Sequence, residues 1–147
     1  KSDAMQYGTD TEAQARAFYE LETGNDVRQC GFIPHPLLEW AGASPDGLVG
    51  ELGLVEIKCP QPAKHIKNLM GGTIDRAYAL QMQWQMECTG REWCDFVSFN
   101  PSFPDHLQIH IQRVERDQEL ISEIMAATTI FLAETESKLR VLNARAA

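Results

Sequence analysis

The sequence predicts a mixed α/β domain in which helices flank a central β-sheet. Segments with helical spacing of apolar residues are interspersed along the chain with short segments in which apolar and polar residues alternate. The 147 residues, 44% of them hydrophobic, are enough for one domain with a buried core. We therefore expect a single domain over residues 1–147.

The first part of the chain is expected to form one helix and then several strands. Residues 8–26 have helical spacing, with an N-cap at Thr9 or Thr11 and Gly24 just after the helix end. Strands are predicted at residues 27–34, on both sides of the Ser-Pro-Asp-Gly corner at 44–47, and at 54–59.

The rest of the chain returns to helices around one further pair of strands. Pro60 and Pro62 end the preceding strand and open a short helix, and a second helix over 72–90 is closed by Gly90. Paired strands are expected at 92–101 and 106–114. A long helix follows from Glu115, and its apolar stripe predicts either a core contact or a subunit contact: Leu120, Ile121, Ile124, Met125, Thr128 and Leu132.

Composition disfavours several classes of protein. The net charge of −8 argues against a protein that coats DNA without regard to sequence, although a local basic rim or a bound cation can still attract DNA. No apolar run approaches the roughly 20 residues of a membrane span, so we expect no membrane partner. The four cysteines form no Cys-x-x-Cys pair, which favours reduced cysteines in a cytoplasmic protein over a zinc or iron–sulfur site.

Three charged residues lie in or beside the predicted strand at 54–59. Alternation places Glu56 and Lys58 on one face of this strand, and Asp46 can reach the same place across a hairpin. Burying charge is costly unless the charge is paired or binds a metal, and two converging carboxylates with the Ile57 carbonyl between them suit Mg²⁺. A lysine beside the metal can position a water or offset charge on a phosphate, which is the chemistry of phosphodiester hydrolysis. The alternative is a Glu–Lys pair on an exposed sheet face, with Asp46 only forming a turn.

These residues resemble the PD-(D/E)-x-K nuclease signature, with Asp46-Gly47 followed by Glu56-Ile57-Lys58. The longer strings "SPDGL" and "EIKCP" are similar to the YqaJ-like viral recombinase family, the family of phage lambda exonuclease. The resemblance implies a restriction-endonuclease-like core, in which a central mixed β-sheet is flanked by helices.

Two further segments resemble the same family, in the family's order. "YGTDTEAQAR" is similar to its first active-site helix, with Gly8 and Glu12 in the matching positions. "YALQMQW" is similar to its Tyr-x-x-Gln-x-Gln helix and contributes Tyr78, Gln81 and Gln83. The resemblance therefore spans roughly residues 8–86.

The resemblance implies a catalytic role for most of the matched residues. Asp46, Glu56 and the Ile57 carbonyl would hold Mg²⁺ or Mn²⁺, and Lys58 would orient the attacking water. Glu12 would lie near the metal and bind a second ion directly or through water. For Glu12 the alternative is an ordinary acid in the first turn of a helix, favoured by the helix dipole.

The resemblance also implies that Gln81 would hold the nucleophilic water or a phosphate oxygen. Gln81 is preferred to Gln83 for this role because it shares a helix face with Tyr78 and Gln85, and for both glutamines the alternative is a solvated helix face. For Lys64 and Lys67, which follow the strand at 54–59, a solvated helix face is the alternative to a phosphate contact. Four residues are expected to contact DNA: Gln83, Tyr78, Lys64 and Lys67.

The activity that the resemblance implies is Mg²⁺-dependent resection of linear double-stranded DNA from its ends, 5′→3′, for phage-type recombination and repair in a bacterial cytoplasm. A single-strand annealing protein and a homotrimer are the implied partners. The family's segment that grips a terminal 5′-phosphate has no counterpart before Gly8, so we expect weaker polarity and processivity. Two rivals stay open: a structure-specific or nicking endonuclease on the same core, and a non-catalytic DNA-end-binding module.

Overall fold

The computed structural model describes residues 2–146 and contains a five-stranded mixed β-sheet with helices on both faces. The predicted fold class is thereby confirmed. In chain order the elements are α1 (Asp3–Thr23), β1 (Val27–Arg28), β2 (Ile33–Pro34), β3 (Gly42–Ala43), β4 (Gly47–Val49), β5 (Gly53–Lys58), α2 (Pro62–Leu69), α3 (Arg76–Thr89), β6 (Trp93–Phe99), a 3₁₀ turn (Asp105–Leu107), β7 (Ile109–Glu115) and α4 (Gln118–Ala144).

The strand order of the main sheet is β1-β4-β5-β6-β7. β5 and β6 are parallel, and the other neighbouring pairs are antiparallel. A parallel pair needs a crossover connection, which α2 and α3 provide here. This topology puts β5 in the middle of the sheet, between β4 and β6.

The two faces of β5 belong to two separate hydrophobic clusters. Val55 and Ile57 pack with Ala15 and Tyr19 of α1. Leu54 packs on the other face, in the cluster formed with α3. The strict alternation predicted for this strand is therefore confirmed, and it directs Glu56 and Lys58 towards α3.

The helix ends follow local capping chemistry. Gly24 and Gly90 adopt left-handed backbone angles, with φ of 71° and 70°, and close α1 and α3. α1 begins at Asp3, earlier than predicted, because Ser2 provides the N-cap and accepts a hydrogen bond from the Met5 N–H.

Residues 27–34 form two short strands where the sequence predicts one. β1 pairs with β4 in the main sheet, whereas β2 pairs with β3 in a separate two-stranded hairpin. β1 keeps its register with β4 for only two residues, Val27 opposite Val49 and Arg28 opposite Leu48, so the chain is free to leave the sheet afterwards.

α4 packs against α3. Ile121 is the buried residue of this helix, which matches the predicted core contact. Further along, Ile130 and Phe131 are exposed, and the predicted subunit contact of this helix stays a prediction. Among residues 2–146, no helix has both the length and the apolar character that crossing a membrane requires.

Gly47, the first residue of β4, is expected to tolerate no side chain. A Cβ there would lie 2.2 Å from Val27 Cγ1 and 3.0 Å from Val55 Cγ1. Gly47→Ala should lower the free energy of unfolding by about 1–3 kcal/mol, as overpacked positions do. Denaturant unfolding measures this loss. Gly31→Ala is the matched control, since nothing lies within 4 Å of that position, and equal stability of the two variants would contradict the prediction.

Candidate active site

Asp46 lies beside the end of β5 because β4 begins at the next residue. β4 pairs with β5 only as far as Gly47 opposite Val55. Beyond that point the Asp46 side chain, rather than the backbone of β4, is the hydrogen-bond partner of β5. Its Oδ2 accepts a hydrogen bond of 2.7 Å from the Ile57 N–H. The N–H and C=O of one strand residue face the same side, so the Ile57 carbonyl also faces Asp46.

Glu56 is a buried carboxylate with two charge-stabilising partners. Glu56 is only 1% exposed to solvent. Lys58 Nζ lies 2.7 Å from Glu56 Oε1, and Gln85 Nε2 donates a hydrogen bond of 2.9 Å to Oε2. Each oxygen of Glu56 thus has one partner, which is how a buried charge is tolerated.

Tyr78 of α3 presents its ring to two lysine ammonium groups. Lys58 Nζ lies 4.6 Å from the ring centroid, and Lys64 Nζ lies 5.3 Å from it. Such contacts favour the cationic form and hold the ammonium groups near the ring. Lys64 also pairs with Asp75, at the N-cap of α3. Lys67 lies exposed on α2.

The site shifts the pKa of two of its groups. Burial, followed by the charge of Glu56, raises the pKa of Asp46 to about 6, although the hydrogen bond from Ile57 acts in the opposite direction. Partial burial acts to lower the pKa of Lys58, but the hydrogen bond and charge of Glu56 outweigh it, so this pKa lies above its usual value. Lys58 is therefore a cation at neutral pH.

Glu12 lies at the edge of this group, on α1. Its charge contributes to the raised pKa values of both Asp46 and Cys59, which places it close to the end of β5. Arg16, one turn later, donates a hydrogen bond of 3.2 Å to Glu12 Oε1. Arg16 was not among the residues predicted from the sequence, although its spacing of four residues from Glu12 favours such a pair.

The three glutamines of α3 have different surroundings. Gln81 is exposed and lines a groove between α3 and α4, while the amide that contacts Glu56 belongs to Gln85, one turn further along. Gln83 is 3% exposed and bonds to the Glu115 carbonyl and the Asp117 N–H.

Gln83 was expected to contact DNA. In the structure its buried side chain forms hydrogen bonds at the junction of β7 and α4. The signal for Gln85 was its spacing of seven residues from Tyr78, which puts both on one helix face.

The residues at the end of β5 fit a hard divalent cation. Within residues 2–146 no three His, Cys, Asp or Glu side chains form a complete metal cluster. Mg²⁺ does not require one, since it is commonly bound by one or two carboxylates together with waters and substrate phosphates. Asp46, Glu56 and the Ile57 carbonyl supply oxygen donors of that kind.

Fold and site together define the class of this chain. It is a mixed α/β domain whose central strand carries Glu56 and Lys58, with Asp46 bonded to the same strand and α3 in contact with Glu56 and Lys58. A model of the family described as YqaJ-like viral recombinase domain matches residues 1–92. The chain belongs to the YqaJ-like viral recombinase family.

Solved structures agree with this assignment. An alkaline exonuclease (LHK-Exo) from Laribacter hongkongensis is 49% identical, with a TM-score of 0.94, and the match covers 100% of this chain and 76% of that chain. LHK-Exo in complex with dAMP matches with the same identity and TM-score and 75% of that chain covered. A phage-related exonuclease from Haemophilus somnus shares the fold at 20% identity and a TM-score of 0.60, over 82% of this chain and 65% of that chain. No curated protein matches significantly.

Proposed function

We propose that this chain is a metal-dependent DNA exonuclease that shortens linear double-stranded DNA from its ends. The observation that carries the proposal is the convergence of Asp46, Glu56 and Lys58 at the end of β5. The 49% identity to an alkaline exonuclease supports the same activity.

The charges of the site suit hydrolysis of a phosphodiester. A divalent cation bound there would supply Lewis-acid activation of the phosphate and lower the pKa of a bound water. Asp46 and Glu56 would hold the cation, with the Ile57 carbonyl as a third oxygen donor. Lys58 carries a positive charge beside Glu56, and this charge can orient a water and offset negative charge that develops on the phosphate.

Other predicted residues complete the proposal at the edge of the site. Glu12, whose charge contributes to the raised pKa of Asp46, would bind a second ion directly or through water. Gln81 is exposed and would hold a water or a phosphate oxygen of a bound strand. Tyr78, Lys64 and Lys67 would contact the approaching DNA, and the Lys64 ammonium already lies beside the Tyr78 ring.

We further propose 5′→3′ polarity and a role in phage-type recombination beside a single-strand annealing protein, with a homotrimer as the working assembly. These finer statements rest on the family to which the chain belongs. A chain of net charge −8 should hold DNA through few phosphate contacts, so added salt should weaken binding.

The substrate is tested with linear and covalently closed forms of one plasmid, in Mg²⁺ or Mn²⁺. We expect progressive shortening of the linear form and survival of the closed circle, because an exonuclease needs an end. Strands labelled at the 5′ or the 3′ end report polarity, and early loss of the 5′ label would support 5′→3′ resection.

Two other outcomes would each favour a rival. Equal loss of linear and closed DNA would identify an endonuclease on the same core. Loss of neither, with retained binding of DNA ends, would identify a non-catalytic end-binding module. Adding EDTA to the linear digest tests metal dependence, and continued cleavage would contradict it.

A further inference from the structure

The buried amide of Gln85 contacts Glu56 directly. Gln85 is 2% exposed, and its Nε2 donates to Glu56 Oε2 at 2.9 Å. Lys58 occupies the other carboxylate oxygen. The Glu56 carboxylate is therefore held at both oxygens, by one charged group from its own strand and one neutral group from α3.

The chemistry of the two groups fixes which way the amide faces. An ionised carboxylate only accepts hydrogen bonds, so the NH₂ group of Gln85 must face Glu56 and its Oε1 must face away. That Oε1 is buried and has no hydrogen-bond partner among the described residues. A buried acceptor of this kind is uncommon in a well-ordered core and suits a bound donor such as a water.

α3 holds this amide rigidly above β5. Met82 and Met86, on either side of Gln85 in sequence, are fully buried and pack on Leu54 and Phe96. These contacts fix the rotation of the helix. The Gln85 side chain therefore has little freedom to adopt another position.

We propose that Gln85 is a positioning residue that orients the Glu56 carboxylate for a divalent cation. This inference rests on the proposed function. A hydrogen-bonding partner of a metal-binding carboxylate fixes its orientation and typically changes metal affinity or activity by about 10–100-fold when it is removed. Gln85 acts through Glu56, so its loss should weaken the binding of the cation before any DNA is present.

The test is Mn²⁺ titration of the folded chain without DNA, by calorimetry. Gln85→Met keeps the volume and removes both polar groups, and we expect its Kd for Mn²⁺ to rise by about 10–100-fold. Gln85→Asn keeps the amide but withdraws it by one methylene, and we expect a smaller rise. The second variant retains an amide, so it provides the measurement even if Gln85→Met does not fold.

Gln83→Met is the matched control, because it removes a buried amide from the same helix that bonds away from Glu56. It should lower the melting temperature and leave the Kd for Mn²⁺ within about threefold of wild type, since the Gln83 side chain forms its hydrogen bonds at the β7–α4 junction. A purely structural role for Gln85 would produce this same pattern.

Wild-type affinity in both Gln85 variants would overturn the inference and leave the proposed function intact. Absence of Mn²⁺ binding by the wild-type chain would instead overturn the metal site, and with it this role of Gln85. A Kd that rises in both Gln85 variants and not in Gln83→Met supports it.

Discussion

Glu56→Gln is expected to reduce cleavage of linear duplex DNA by about 10³-fold. Glutamine keeps the shape of the side chain but removes the charge that would bind the cation, and Lewis-acid stabilisation is worth several kcal/mol, of which about 4 kcal/mol corresponds to 10³-fold in rate. The substitution also leaves Lys58 beside a neutral amide in a site that is largely buried. The measurement is the initial rate of release of labelled nucleotide at saturating Mg²⁺.

The control for Glu56→Gln is Glu51→Gln. Glu51 is exposed in the turn before β5, at the opposite end of that strand from Lys58, and its loss changes the net charge equally. We expect wild-type rates from this control. Circular dichroism should show both variants folded. A folded Glu56→Gln protein with a rate near wild type would refute the assignment of the site.

The alternation within β5 made the centre of the site predictable. Apolar Val55 and Ile57 require a buried face of their own, so Glu56 and Lys58 must share the other face. The position of Asp46 beside Gly47 was also predictable, because a turn before a short strand returns Asp46 towards the neighbouring strand. These are local rules, and the structure follows them.

The contacts between elements were less predictable. The bond from Ile57 N–H to Asp46 exists because β4 starts one residue later, and strand ends depend on tertiary packing. The choice among Gln81, Gln83 and Gln85 depends on the rotation of α3, which is set by the packing of its methionines on the sheet. Residues two to four positions apart on one helix can therefore face the core, as Gln83 does, a groove, as Gln81 does, or the site, as Gln85 does. Helical spacing alone does not show which of them contacts Glu56.

Lys58→Met is the second substitution for which we expect a large effect, a fall in turnover of about 10²-fold or more. Methionine keeps an unbranched chain that can still pack against the Tyr78 ring, so the loss reports the charge. The ammonium of Lys58 carries the same sign of charge as the cation and contacts Glu56 Oε1, a prospective ligand atom. Its removal should therefore leave Mn²⁺ affinity equal or tighter while the rate falls.

That opposite movement of rate and affinity separates Lys58 from Glu56, whose loss should reduce both. Single-turnover cleavage gives the rate, and calorimetric titration with Mn²⁺ gives the affinity. Lys138→Ala, at an exposed position of α4, controls for loss of one positive charge. Tenfold weaker Mn²⁺ binding with nearly unchanged turnover would mean that Lys58 serves to shape the metal site. The direct action on water or phosphate proposed for its ammonium would then be wrong.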